Sequence, residues 1–170
     1  MTHLFKPALI KQSGSSFPVR RADFDFTGIE KYFINHDPVS SVMWFAFQAF
    51  FPEGEQFFVD AVRDRRQFIK DAQLQKDASA FIGQESMHGK EHRAANEEAR
   101  RQGVNAFPLD RAVRHGRKWA NRHLPSRFRL ALTAAFEHYT GVIARQVALR
   151  PDFRASIVDE RIKTLLLWHA

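Results

Sequence analysis

The sequence predicts an all-α protein, built as a helical bundle of four to five helices. No stretch of any length has the composition and turn signals that are typical of strands. Prolines and capping residues instead divide the chain after residue 35 into segments with helical apolar spacing. The length of 170 residues indicates one domain, and 44% hydrophobic with 26% charged residues is typical of a globular chain.

The first 35 residues predict an extended N-terminal arm. Residues 13–16 read Ser-Gly-Ser-Ser, a flexible turn, and Pro18 then disfavours helical backbone at Phe17. Polar and apolar residues alternate over 23–26, as they do in extended chain that lies against a surface. The expected organisation is an arm over residues 1–35, followed by a helical-bundle domain over residues 36–170.

Caps and prolines set the expected helix boundaries in the first half of the bundle. Asp37 is a suitable N-cap, with Pro38 at the first helical position. Pro52 either kinks this helix or starts a second one that runs to residue 67. A long helix is expected over about 71–102, because Gly103 is a suitable residue just after a helix end.

The second half predicts a short basic helix from Pro108, a helix over about 124–149 that Pro151 ends, and a last helix from residue 152 to the terminus. The last helix stops within the apolar residues 165–168 and has no capping residue. We therefore expect this helix to be cut short. Its apolar surface would then be exposed and could join two copies of the chain as a homo-oligomer.

Composition excludes several classes of site and partner. The chain has no cysteine, so disulfides, iron–sulfur clusters and thiolate zinc sites are excluded and only nitrogen and oxygen ligands remain. The net charge of +7 comes from dispersed basic residues without a nucleic-acid-binding motif, so we expect no nucleic-acid partner. No signal peptide or membrane-spanning run is visible, and we expect a cytoplasmic protein.

Residues 84–96 carry the clearest chemical pattern. Glu85, His88 and His92 are spaced by three and four, which places their side chains on one stripe of the expected long helix. A carboxylate and two imidazoles in this arrangement are typical metal ligands, although a solvated pair on a polar helix face has the same spacing.

Two further carboxylates stand among apolar residues. Glu137 lies mid-helix in a largely apolar segment, where an ionised carboxylate is costly unless it is paired or binds a metal. Glu55 follows Pro52 among aromatic residues, and it could equally be a first-turn acid that the helix dipole favours. An arginine from a neighbouring helix could instead pair with Glu137.

The other histidines are weaker candidates. His138 points about 100° away from Glu137 on a helix, so the two side chains cannot face one metal equally well. We expect a frayed terminal position for His169. The remaining candidates are expected at the surface or in turns: His36, His115 and His123.

Three ordered motifs resemble a known family. The segments F-F-P-E-G-E-Q-F-F, F-I-G-Q-E-S-M-H-G-K-E-H-R-A-A-N and A-L-T-A-A-F-E-H-Y-T are similar, over about residues 18–170, to the bacterial family of predicted metal-dependent hydrolases. The resemblance implies a ferritin-like fold. It also implies six metal-binding residues: Glu55, Glu85, His88, His92, Glu137 and His138. In the family, an acidic Glu-Glu-x-x-His stretch follows the segment that resembles the end of this chain, so half of the site is expected to be missing here.

The ligand set predicts a transition metal, with iron as the first expectation and manganese or zinc as alternatives. Metal-dependent hydrolysis and di-iron oxidase or oxygenase chemistry both suit these ligands. A non-catalytic helical interaction module is the third hypothesis. For an enzyme we expect a small-molecule substrate, and the aromatic helices favour an apolar one by analogy with other folds.

Overall fold

The computed structural model describes residues 8–10, 14–104 and 107–169, and within these residues it confirms the all-α helical fold class. Residues 1–7 and 11–13 of the expected arm, and Ala170, lie outside the described part. The elements are β1 (Ala8–Ile10), β2 (Val19–Arg21), α1 (Pro38–Gln48), α2 (Phe51–Arg66), α3 (Ala72–Arg101), α4 (Phe107–His123), α5 (Ser126–Leu149), α6 (Pro151–Ser156) and α7 (Glu160–His169).

Helices α2 and α3 form the central pair of the bundle. Helix α2 also packs on α4 and α5, α3 also contacts α1 and β2, and α5 packs on α4, α6 and α7 as well. The strands β1 and β2 form a short antiparallel pair in which Leu9 lies opposite Arg20. Among the described residues, no helix combines the length and apolar character that crossing a membrane requires.

Pro52 begins a second helix. Helix α1 ends at Gln48 and α2 starts at Phe51, with Pro52 in its first turn, where the missing N–H has no helical partner to lose. Asp37 caps α1 as its sequence predicts, since its side chain accepts a hydrogen bond of 2.6 Å from the Ser40 N–H. Of the two possibilities for Pro52, a helix start is therefore correct.

The segment from β2 to α1 lies along α3 and hydrogen-bonds to its side chains. Three acceptors, spaced seven residues apart on α3, receive backbone N–H groups spaced four apart. The pairs are Arg20 to Gln84 (2.7 Å), Phe24 to Glu91 (3.0 Å) and Gly28 to Glu98 (2.9 Å). Seven helical residues rise about 10 Å and four extended residues span about 13 Å, so the two repeats nearly match. The side chains of α3 thereby satisfy three backbone donors of this segment.

The same segment supplies part of the hydrophobic core. The buried apolar residues that it contributes are Val19, Ala22, Phe26, Ile29 and Phe33. Phe33 meets Phe45 of α1 edge to face, with ring centroids 5.1 Å apart. The extended residues before α1 therefore pack into the bundle as its helices do.

The last helix differs from the sequence prediction in two ways. It is divided into α6 and α7, because Ile157 forms a β-bridge with Ile34 and the Val158 N–H donates to the Phe33 carbonyl (2.7 Å). Most of its apolar residues are also buried, so the expected exposed apolar surface is wrong for Ile162, Leu165, Leu166 and Trp168, while Leu167 is exposed. The buried residues are covered because α7 packs against α5 and the extended segment.

Asp159 fixes the start of α7 to the extended segment. Its carboxylate accepts hydrogen bonds from the backbone N–H of Glu30 (2.9 Å) and of Arg161 (2.9 Å), and from the Arg161 guanidinium. Burial by itself would raise the pKa of Asp159, but the hydrogen bonds and the charge of Arg161 outweigh it, and the pKa lies below the usual 3.8.

We expect Asp159→Asn to lower the free energy of unfolding by about 1–2 kcal/mol at pH 7, because a helix cap and a tertiary anchor are both weakened. A carboxylate with a depressed pKa stabilises the fold above its unfolded pKa and loses that effect as the pH falls. Urea unfolding at several pH values between 3 and 7 should therefore show that the free energies of unfolding of Asp159→Asn and wild type become more similar toward pH 3.

Glu160→Gln is the matched control, since Glu160 is the next residue and its side chain is 71% exposed. A surface acid of this kind contributes little, so the control should lose less stability than Asp159→Asn. Equal losses, or a difference that does not change with pH, would contradict the role given to Asp159.

Candidate metal centre

The candidate site lies between α2 and α3, where Gly89 of α3 packs against α2. A Cβ built at Gly89 of α3 would stand 3.1 Å from Oε2 of Glu55 and 3.7 Å from the carbonyl oxygen of Pro52, both on α2. The shorter distance leaves no free space for a methyl group. Gly89 therefore permits the Glu55 carboxylate to lie directly against the backbone of α3.

Glu55 is a buried acid without hydrogen bonds. It is 2% exposed, and neither carboxylate oxygen has a partner among the described residues. Burial, together with the negative charges of Glu85 and Glu137, raises the pKa of Glu55 well above its usual value. An ionised carboxylate in this position costs several kcal/mol unless a cation is bound to it.

Other acids of α2 are neutralised within the fold, which makes Glu55 an exception. Arginines of α4 and α5 pair with three of them, and the pairs are Glu53 with Arg114 (3.1 Å) and Arg117 (2.8 Å), Asp60 with Arg117 (2.7 Å) and Asp64 with Arg129 (2.6 Å). Glu55 lies two residues after Glu53 and, in the described part of the chain, has only histidines as basic side chains within 4.0 Å of its oxygens. The fold therefore leaves a place for a positive charge at Glu55.

Three histidines converge on this carboxylate. Oε1 of Glu55 lies 3.6 Å from Nε2 of His92 and 3.9 Å from Nε2 of His169. One ligand atom from each of Glu55, His88 and His169 lies within 4.8 Å of the other two. Two imidazoles and a carboxylate are donors that suit zinc, manganese and iron.

Neighbouring side chains hold two of these imidazoles in place. His92 Nδ1–H donates to Oε1 of Gln48 in a short hydrogen bond, and in this tautomer Nε2 of His92 accepts a 2.8 Å hydrogen bond from Nδ1 of His169. Phe51 stacks on the same ring, with centroids 4.6 Å apart and planes 18° apart. The Gln84 amide nitrogen lies 2.7 Å from Nε2 of His88. The imidazoles are thus oriented before any ion binds.

The environment keeps the three histidines neutral. Burial, followed by the charge of Arg20, lowers the pKa of His88 to about 3. Burial and the neighbouring imidazoles lower the pKa values of His92 and His169 as well. A neutral imidazole has a lone pair on one ring nitrogen at pH 7, and this is the form that binds a metal.

Two cavities meet at this cluster. The larger, of about 470 Å³, is walled mainly by aromatic side chains and reaches Glu55. The smaller, of about 290 Å³, reaches His88 and His92. Both are bordered by the same charged and imidazole groups: Glu85, Glu137 and His169. A mostly apolar cavity with a few polar groups at one end is the usual form of a small-molecule site.

The structure brings together five of the six residues that the sequence predicts as ligands. Glu85 is buried, and its Oε1 lies 3.4 Å from Nδ1 of His88, an atom without a hydrogen-bond partner. Glu137 of α5 is partly buried, and burial together with the charge of Glu85 raises its pKa to about 7. His138 is exposed and borders neither cavity, so it lies apart from the cluster.

Sequence reasoning missed His169, which was expected to be frayed. The residue is the last one of α7, and burial of the neighbouring Leu165 and Trp168 draws it into the cluster, 4.2 Å from the ring centre of His88. The available signal was an apolar helix that ends in one imidazole beside a tryptophan. That signal becomes informative only when the apolar stripe is known to be buried.

The comparisons with known proteins agree with the geometry. The sequence model of the family described as predicted metal-dependent hydrolase matches residues 18–170, a range that contains every residue of the cluster. Searches of curated proteins and of solved structures found no match. Because the family match covers most of the chain, this protein belongs to the family of predicted metal-dependent hydrolases.

Proposed function

We propose that this chain is a metal-dependent hydrolase in which Glu55, His88 and His169 hold a divalent metal ion. The observation that carries the proposal is the buried Glu55 carboxylate, whose two oxygens lack partners while imidazole nitrogens surround them. One carboxylate with two neutral imidazoles is a donor set of catalytic zinc sites. Membership of the family supports hydrolysis as the reaction class.

The chain's own residues have separate parts in this proposal. A bound divalent ion supplies Lewis acidity and lowers the pKa of water. Gln48 keeps His92 in the tautomer whose Nε2 accepts the hydrogen bond from Nδ1 of His169, which leaves the Nε2 lone pair of His169 for the metal. Glu137 borders both cavities, and its pKa of about 7 suits a group that takes a proton from water and returns it to a leaving group. Aromatic side chains line the larger cavity and give it a mostly apolar surface.

A second candidate function is oxygen-dependent oxidation at two iron ions on a ferritin-like bundle. The observation that favours it is the origin of the donors. Four helices contribute, namely α2, α3, α5 and α7, and together they bring three carboxylates and three imidazoles to one place. Ferritin-like di-iron proteins also draw their ligands from four helices.

We expect chelator-treated wild-type protein to take up at least one equivalent of zinc, manganese or iron, measured by elemental analysis after desalting. Glu55→Gln and His88→Ala should each weaken metal binding by more than about tenfold in calorimetric titrations, because each removes a donor that the fold does not replace. Bound metal should also raise the melting temperature of wild type and not that of Glu55→Gln.

His138→Ala is the matched control, since this exposed imidazole stands next to Glu137 and outside the cluster. It should bind metal as wild type does. The proposal is wrong if wild type retains less than a tenth of an equivalent of every metal tried, or if Glu55→Gln binds as tightly as wild type.

Activity assays separate the two candidate functions. The zinc- or manganese-loaded protein should hydrolyse activated esters or amides without oxygen, and Glu55→Gln should abolish this turnover. Iron-loaded protein that consumes oxygen with an apolar substrate, and that hydrolyses nothing, would favour oxidation over hydrolysis.

The metal-free protein should show a pH dependence that comes from Glu137. Its pKa is raised from 4.5 to about 7, so the folded state keeps the proton longer than the unfolded state and loses stability as the pH rises through this interval. Glu137→Gln removes the titrating group. As the pH rises from 5 to 8, we expect the free energy of unfolding of this variant to increase, relative to that of wild type, by on the order of 1 kcal/mol. This value is reduced for the partial solvent exposure of Glu137.

Urea unfolding in the presence of a chelator measures this difference. Glu97→Gln serves as the control, because Glu97 is a partly exposed acid paired with Arg100, and the pairing lowers its pKa. The difference in free energy of unfolding between Glu97→Gln and wild type should not increase above pH 5. Parallel profiles for wild type and Glu137→Gln would show that Glu137 does not titrate in this way.

A further inference from the structure

Arg20 is a cation without an acidic partner beside the proposed metal centre. It lies on β2, is partly buried, and borders the smaller cavity together with His88 and His92. Its guanidinium lies 3.5 Å from the carbonyl oxygen of His169, and in the described part of the chain no carboxylate forms an ion pair with it. The buried arginine Arg129, in contrast, is paired with an acid.

The two cavities differ in the arginine that borders each of them. In the larger one, the arginine is Arg117, which Glu53 and Asp60 already neutralise, and the walls are largely aromatic. In the smaller one, Arg20 is the unneutralised cation. The larger volume of about 470 Å³ has room for roughly 15 non-hydrogen atoms, at the volume of one water molecule for each atom.

We propose that the substrate is an amphiphile, with its anionic group bound by Arg20 in the smaller cavity and its apolar chain in the larger one. The anionic group is a carboxylate or a phosphate monoester, since a guanidinium binds both in a forked geometry. The bond to be cleaved then lies between the two ends, beside Glu55, His88 and His169. This last point rests on the proposed hydrolysis, whereas the binding of an amphiphile does not.

An N-acyl amino acid illustrates the reaction class. Hydrolysis breaks the bond between the acyl carbon and nitrogen; the acyl carbon takes the hydroxyl of water and the nitrogen takes the proton. The apolar acyl chain would stay in the aromatic cavity, and the carboxylate of the amino acid would stay on Arg20. An ester of a hydroxy acid divides in the same way, with oxygen in place of nitrogen.

Arg20 could instead serve only to balance Glu85, whose pKa its charge lowers against the larger effect of burial. A ligand comparison separates these two roles, because a residue that only balances Glu85 would not distinguish a charged ligand from a neutral one of the same shape. The comparison does not require a metal or turnover.

The first experiment measures binding of decanoate, decyl phosphate and decanol to chelator-treated protein by calorimetry. We expect at least one of the two anions to bind about tenfold or more tighter than decanol, since a charge-assisted hydrogen bond in a partly buried site is worth roughly 1.5–3 kcal/mol. The anion that binds more tightly shows whether the head group is a carboxylate or a phosphate monoester. Arg20→Gln should abolish the preference for the anion, and Arg20→Lys should retain part of it.

Arg21→Gln is the matched control, because Arg21 is the next residue of β2 and is exposed. It should keep the preference. The inference is overturned if wild type binds decanol as tightly as both anions, if Arg20→Gln keeps the preference for the anion, or if Arg21→Gln loses it to the same extent.

A second experiment compares hydrolysis of N-decanoylglycine and its methyl ester by the metal-loaded protein. A kcat/KM that favours the free acid, and that falls in Arg20→Gln mainly through a higher KM, supports the inference. Binding of the anions without any hydrolysis would count against the proposed hydrolase alone. Hydrolysis of both compounds without dependence on Arg20 would overturn the amphiphile and leave the hydrolase standing.

Discussion

The structure depends on one electrostatic constraint, the burial of the Glu55 carboxylate against α3. Gly89 makes this position sterically accessible, and the absence of hydrogen-bond donors among the described residues makes it costly unless a cation is present. The chain carries 26 lysines and arginines, so positive charge is not scarce. Arginines are placed against Glu53, two residues earlier on the same helix. Glu55 is therefore unpaired because of where it lies, and histidines occupy the positions from which a cation could be held.

Helix α7, which brings His169 to the cluster, depends on the extended segment that precedes the bundle. The acceptors of α3 hold that segment in place, with Gln84 and Glu91 receiving its backbone N–H groups. Asp159 then attaches the start of α7 to Glu30, and Trp168 packs against Phe24. His169 reaches the cluster only because both ends of α7 are fixed in this way. The site is thus assembled from local helical spacing on α3 and from nonlocal contacts made by residues before the first helix.

This division explains how much of the site the sequence could predict. Glu85, His88 and His92 follow from spacing on one helix, because three- and four-residue intervals fix their common face wherever the helix lies. Glu55 and Glu137 were candidates because carboxylates among apolar residues need compensation. The contribution of α7 could not be found in this way, since its break at Ile157 comes from a bridge to Ile34 and the burial of its apolar face comes from distant residues. The all-α fold class followed from helix caps, which are local.

Gln84 connects the proposed anion-binding residue, Arg20, with a proposed metal ligand, His88. Its carbonyl oxygen accepts a 2.7 Å hydrogen bond from the backbone N–H of Arg20, and its amide nitrogen lies 2.7 Å from Nε2 of His88. A single buried side chain thus positions the strand that carries the proposed anion-binding residue and also contacts a proposed metal ligand. Displacing the strand would disturb the His88 imidazole, and displacing His88 would remove the support of the strand. The backbone of the proposed anion-binding residue and a proposed metal ligand therefore share one support, the Gln84 amide.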